Sequence, residues 1–197
     1  MQVTKPDELP RSNSDRTART QGALMQAARA LFVDKGYAET STPEIVAAAG
    51  ITRGALYHHF EDKRALFRAI VTGEALAVAA AIEQRALAGL SPIDALVEGS
   101  SAYLDAMRVP GRTRLLLIEG PSVLGQAEMK KLDEENATRT LRSGLEAAID
   151  TRGLPLAALA DLLSAAFDRA ALAIDAGEDA ADYRNAIVML IRRVVTR

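Results

Sequence analysis

The sequence predicts an all-α protein, on three observations. Alanine and leucine dominate while aromatic residues make up only 4% of the 197, a bias toward helix formers and away from the residues that fill strands. Apolar side chains recur at three- and four-residue spacings along most of the chain. Glycine and proline punctuate it at Pro110-Gly111, Gly120-Pro121, Gly153 to Pro155 and Gly177. A hydrophobic share of 49% is enough to bury a core.

Residues 1–14, with Pro6 and Pro10 among polar neighbours and no apolar period, read as a disordered tail. From Arg16, the stripe Leu24, Ala28, Leu31, Phe32 marks an amphipathic helix ending near Gly36. Ser41-Thr42-Pro43-Glu44 starts the next helix, either as a capping box on Ser41 or as a Thr42 cap followed by proline. That helix runs to Ala49 and stops at Gly50. Thr52 can cap a third, whose narrow apolar seam is Leu56 and Phe60. Two short helices joined by a glycine-containing turn form a helix-turn-helix, which places the first domain at residues 15–62. A long helix follows from Glu61 or Asp62 toward Leu87, ended by Gly89, Ser91 and Pro92. Further helices are expected at 93–107, 112–119, 126 to about 151, 156–176 and 180–195. No fixed period repeats, which argues against a solenoid.

Composition excludes several functions. Without cysteine there is no disulfide, thiolate nucleophile or Cys-ligated zinc, and His58 and His59 are the only histidines. Charge interrupts the apolar residues before any run nears the roughly 18 residues of a membrane span, and the N-terminus has no apolar signal region. A soluble, cytoplasmic protein is expected, with no membrane partner. Enzymatic signatures also fail. Ala55 and Leu56 stand where a di-iron Glu-x-x-His pair needs glutamate, Gln126 and Ala127 follow Gly125 where a phosphate loop needs Lys and Ser or Thr, and Tyr103 replaces the closing glycine of a nucleophile elbow after Gly99. Neither catalytic residues, nor a metal site, nor a cofactor is expected.

Ile51 to Phe67 is the informative segment. Thr52, Arg53, Tyr57, His58 and His59 crowd one short helix that has little room to bury them. Such a helix suits a DNA major groove, with Arg53 at base edges, Tyr57 and His59 at phosphates and Lys63 adding a cation; a merely solvated polar face is the alternative. Gly36-Tyr37, Thr40-Ser41-Thr42, Ile45, Gly50 and Arg53-Gly54-Ala55-Leu56-Tyr57-His58-His59-Phe60, then Lys63, Leu66 and Phe67, resemble the DNA-binding domain of TetR/AcrR-type transcriptional regulators over Arg16 to Val71. The resemblance implies phosphate contacts from Ser41 and Thr42, base-facing positions at Thr52, Arg53, Gly54 and Tyr57, and backbone contacts from Tyr57, His59 and Lys63. Val46 departs from the usual alanine. Gly54 and Ala55 offer few hydrogen bonds, leaving base readout mostly to Arg53. Residues 1–70 hold ten Lys or Arg against eight Asp or Glu (+2), and residues 71–197 fourteen against eighteen (−4). Arg16 and Arg19 would add phosphate contacts.

Residues 63–197 then become a helical regulatory and dimerisation domain. The stripes Leu159, Leu163, Phe167 and Ile187, Leu190, Ile191, Val194 on the last two helices are the expected homodimer interface, for which the resemblance implies a four-helix bundle. It further implies a small effector inside this domain; the candidate pocket residues, chosen as polar, flexible or aromatic groups on helices expected to surround it, are Tyr103, Met107, Arg112, Leu116, Glu119 and Phe167. With neither His nor Cys after residue 60, an organic effector is expected rather than a soft metal ion or a thiol oxidant. The expected protein is a repressor on a palindromic double-stranded operator; a DNA-binding helical protein without an effector is the alternative.

Overall fold

The structure, a computed structural model, describes residues 13–85, 89–149 and 155–195, the first four of these by backbone only. The described residues form ten α-helices, α1 Asn13–Glu39, α2 Thr42–Ala49, α3 Arg53–His59, α4 Lys63–Arg85, α5 Pro92–Met107, α6 Gly120–Leu124, α7 Gln126–Glu134, α8 Ala137–Ala148, α9 Leu156–Asp175 and α10 Ala180–Val195, with a π-helix at Arg114–Glu119. Most of the expected tail lies outside the described residues, as does Leu87, and α1 already begins at Asn13. The chain separates into two compact units, up to Leu66 and from Phe67 onward.

In the first unit α1 buries Leu24, Ala28 and Phe32 with Ile45 of α2, Leu56 of α3, Phe60 and Leu66. Gly36, at φ 88, interrupts α1 in a conformation that favours glycine. The buried Thr40 hydroxyl donates to the Gly36 carbonyl at 2.7 Å, satisfying an oxygen the helix has stopped using. Of the two possible starts for α2, the capping box forms: Ser41 Oγ accepts from the Glu44 N–H, and Glu44 Oε2 accepts from the Ser41 N–H at 2.8 Å. Gly50, left-handed at φ 65, ends α2. Thr52 Oγ1 accepts from the Ala55 N–H at 3.2 Å and opens α3.

Lys63 joins the end of α1 to the start of α4. Its ammonium donates to the carbonyls of Tyr37 (2.9 Å) and Thr40 (2.8 Å) and lies 4.1 Å from the Tyr37 ring centroid. These carbonyls sit at a helix C-terminus, where the macrodipole favours a cation.

In the second unit α4 buries Phe67, Ile70, Val71, Ala75, Val78, Ala79 and Ile82. By length and composition it is the one described helix able to cross a membrane, which corrects the expectation of no such run, although its apolar stripe is buried in the chain. Two boundaries also differ from expectation. Gly120 and Pro121 do not break the chain, because proline in a first turn gives up no hydrogen bond; the break falls at Gly125, φ 96. The helix expected from 126 to about 151 is two helices, separated at the buried Asn136, whose backbone leaves the helical region (φ −124, ψ −103) and whose Nδ2 donates to the Leu132 carbonyl at 2.6 Å.

Lys63→Met keeps the alkyl stem and removes both charge-assisted bonds. It is expected to lower the stability of the helix-turn-helix unit by about 1–3 kcal/mol in urea unfolding followed by a probe in α1.

Candidate nucleic-acid interface and ligand cavity

The third helix is polarised. Leu56 and Phe60 point into the core, whereas Thr52, Arg53, Gly54, Tyr57 and His58 are exposed and His59 is half-buried. Positions 53, 54, 57 and 58 share one helical face because they repeat at four residues. The Arg53 guanidinium lies 5.5 Å from the Tyr57 ring centroid, a cation–π pair that keeps both side chains on that face. The two histidine rings meet edge to face at 5.4 Å. Five donor-bearing side chains on the eight residues from the Thr52 cap to His59, held by a capped and seamed helix, can address groove edges and phosphates together.

The remaining expected contacts are placed differently. Arg19 is exposed on α1, and the Arg16 side chain lies outside the described residues. Thr42 is half-exposed in the first turn of α2. The Ser41 hydroxyl is already engaged, at 2.7 Å from Glu44 Oε2. Glu44 also pairs with Lys35, and these two partners, Lys35 first, hold its carboxyl down to about 2. Lys63 is not a free phosphate cation in this structure. Its ammonium is committed to the end of α1, and burial lowers its pKa.

The second unit contains two adjoining cavities of about 320 Å³ and 310 Å³. Both are lined by Tyr103, Ala137 and Ser164. Met107, Leu116, Met129, Asp133 and Asp168 line the first, and Ile82, Leu96, Leu141, Gly144 and Phe167 the second. The rings of Tyr103 and Phe167 lie 5.9 Å apart. Of the residues expected around an effector, Tyr103, Met107, Leu116 and Phe167 line these two cavities, and Arg112 and Glu119 line neither. The Arg112 guanidinium donates to Glu74 Oε2 at 2.6 Å and to the Ala106 carbonyl at 2.7 Å, while Glu119 pairs with Arg114 across the π-helix. Both partners of Arg112 come from other elements, so local spacing could not reveal them.

The acid groups were missed. The Tyr103 hydroxyl donates to Asp168 Oδ1 at 2.5 Å, and Asp133 Oδ2 accepts from Thr138 (2.6 Å) and Ser164 (3.0 Å). Burial pushes the Asp168 carboxyl up to about 6; the Tyr103 bond acts against this and the charge of Asp133 with it. Burial, then Asp168, raises the Tyr103 phenol. The available signal was an aspartate four residues after Ser164 in an otherwise alanine- and leucine-rich stripe.

The expected dimer stripes need correction. Leu163, Phe167, Ile187 and Ile191 are core residues of their own chain, and Leu159 and Val194 are half-buried. The large apolar groups left outward on α9 and α10 are Leu162 (70% exposed), Met189 (62%) and Leu190 (39%), and only Leu190 belongs to the expected set.

The profile of bacterial regulatory proteins of the tetR family matches residues 24–70, and that of a tetracyclin repressor-like C-terminal domain matches residues 93–197. The transposon Tn10 TetC protein of Escherichia coli is 31% identical over 121 residues, 60% of each chain. The HTH-type transcriptional repressor BepR of Brucella suis is 43% identical over 54 residues, 27% of this chain and 26% of that protein. The A-factor receptor protein of Streptomyces griseus is 28% identical over 183 residues, 91% of this chain and 64% of that protein. This chain therefore spans less than two thirds of the length of these relatives. A TetR-family regulator from Syntrophomonas wolfei superposes with a TM-score of 0.78 at 14% identity, covering 91% of this chain and 96% of that one. LfrR of Mycobacterium smegmatis, in complex with proflavine, superposes at 0.65 with 22% identity, covering 89% and 96%. These two likenesses show the fold.

Two outcomes test the geometry. A Cβ added at Gly54 would meet only Thr52 Oγ1, at 3.9 Å, so the protein itself has room for it. Gly54→Ala should stabilise the fold by about 0.5–1 kcal/mol while weakening DNA binding about tenfold in a gel-shift titration, if a base or phosphate approaches there. Asp168 titrates earlier in the unfolded chain, near 3.9, than in the folded one. The folded state therefore loses stability as pH rises from about 4 to 6. Asp168→Asn should gain about 1–3 kcal/mol at pH 7.5 and nothing at pH 4, measured by denaturant titration at both.

Proposed function

This chain belongs to the TetR family of bacterial regulatory proteins, and we propose that it is a homodimeric transcriptional repressor that leaves a palindromic operator when a small organic effector fills the cavity of its second unit. The observation that carries the reading is α3, a short helix with Arg53, Gly54, Tyr57 and His58 outward over a buried Leu56–Phe60 seam. A solvated polar face would not need such fixing. Arg53 is the principal base reader, with Tyr57, His58, His59 and Thr52 around it and Arg19 and the first turn of α2 on phosphates.

A single helix-turn-helix covers few base pairs, so two heads on half-sites about one helical turn apart, or a multiple of it, supply specificity. The outward Leu162, Met189 and Leu190 favour self-association through α9 and α10, since each such side chain returns about 1.5–3 kcal/mol when fully buried. The cavity favours an effector over a protein with none. A relative named as a receptor and another solved with proflavine point the same way. By linkage, an effector that prefers the released state lowers operator affinity by its differential affinity for the two states. The proposed compartment is the cytoplasm, with the chromosome.

Selection of bound DNA from a random pool should recover a palindrome, and a single unpaired half-site would overturn the dimeric reading. Leu162→Glu with Met189→Glu should sediment as a monomer and lose at least tenfold in affinity for that palindrome. These positions are exposed in the chain, so its melting should stay within a few degrees of a monomeric control.

A further inference from the structure

Resting on the reading that the cavity receives an effector, we infer that the ligand is an organic cation, its ammonium or amidinium group held by Asp168 and Asp133 and its apolar body extending past Tyr103 into the second cavity. The lining of the first cavity carries three carboxylates, Asp133, Asp161 and Asp168, against one ammonium, Lys130. Lys130 already pairs with Asp161 at 3.2 Å and reaches Glu134 at 4.0 Å. Among the described residues neither Asp133 nor Asp168 has an ion-pair partner. Each uses one oxygen for its hydroxyl donors, Asp133 for Thr138 and Ser164 and Asp168 for Tyr103, and each leaves its second oxygen without a protein donor. A carboxylate can accept about four hydrogen bonds, so both keep capacity for a multidentate N–H donor.

Charge chemistry selects the ligand's sign. An anion would meet two carboxylates with no free cation to offset them, and a neutral ligand would leave the pair as it is. Burial raises the Asp168 pKa to about 6, a cost to its charged form that an incoming cation relieves. The adjoining cavity is of different character, with Ile82, Leu96, Leu141 and Phe167 on its walls. Tyr103 and Ser164 line both spaces, so a ligand with a charged end and a ring or chain would bridge them. The Tyr103 and Phe167 rings add aromatic faces near the path.

The test uses full-length protein and three naphthalenes of one size, titrated calorimetrically at pH 7.5: 1-naphthylmethylamine (ammonium), 1-naphthalenemethanol (neutral) and 1-naphthoate (anion). The amine should bind at least tenfold more tightly than the alcohol, with naphthoate weakest. Asp168→Asn combined with Asp133→Asn should bring the amine to within about twofold of the alcohol, chiefly by weakening the amine, in protein whose thermal melt stays cooperative. Equal binding of amine and alcohol, tighter binding of naphthoate, or an amine affinity indifferent to the paired substitution would each overturn the cation preference while the cavity reading stands. Absence of binding by all three would overturn both. Amine binding that depends on both aspartates but leaves the operator complex intact would uphold the cation site and overturn its role as the effector site.

Discussion

A helix of seven or eight residues does not persist in water on its own, because nucleation costs more than so few hydrogen bonds return. Yet α2 and α3 have eight and seven residues, and the proposed reading of DNA needs α3 fixed. The first unit is organised around that constraint. Ser41 and Glu44 close one start, Thr52 closes the other, and Gly50 allows the chain to turn between them. Ile45 and Leu56 are fully buried, so each short helix is held by one deep side chain rather than by its own length. Lys63 adds the long-range tie, binding the end of α1 to the first residue of α4. With the fold secured from behind, the outward face of α3 is free of structural duty. It can carry arginine, glycine, tyrosine and histidine in a combination that no packed helix would tolerate.

The second unit accepts a different cost. Its alanine-rich helices pack closely, yet two cavities remain, and Asp168 stands in one with its carboxyl pushed toward neutrality. A well-packed apolar side chain at such a position would stabilise the unit more than a half-buried acid does. The buried Arg112–Glu74 pair presents the opposite arrangement, each charge answered by the other and Arg112 also by the Ala106 carbonyl. One unit, then, contains both a satisfied ion pair and carboxylates that lack a cation among the described residues. The first holds the chain before the π-helix, and the second is capacity kept in reserve.

Signals confined to a few residues were legible in the sequence: a helix start at Ser41-Thr42, though not which residue caps it, the cap at Thr52, the stop at Gly50, the Leu56–Phe60 seam and most helix spans. Each of the local signals depends on neighbours within four positions, and the pattern that resembles the family strings such signals along one short stretch of chain. What was not legible involves partners distant in sequence. Lys63 looked like a phosphate cation because its carbonyl partners lie 26 and 23 residues upstream. Arg112 looked like a ligand group because Glu74 is 38 residues away. The outward faces of α9 and α10 were misjudged for a related reason. Alanine surrounds these helices on several sides, so apolar periodicity alone could not decide which stripe, Leu163–Phe167 or Leu162, turns inward. Proline at 121 and asparagine at 136 misled in opposite directions, one ending no helix and the other dividing one.

Magnitudes link the two units in function. A bidentate arginine on a guanine discriminates against a wrong base by about 1–3 kcal/mol, whereas specific sites exceed non-specific ones by about 4–10 kcal/mol. On α3 only Arg53 has such a fork, and Gly54 and Ala55 contribute no side-chain hydrogen bonds. One head therefore falls short of the required gap, and in the proposed homodimer the deficit would come from a second head and from the shape of the DNA between them. Losing the second head then removes most of the discrimination at once, although every side chain on α3 remains in place. The proposed effector, acting in the second unit, would need no contact with Arg53 to release the operator. It needs only to favour a state in which both heads cannot bind together, and its differential affinity for that state sets the size of the response.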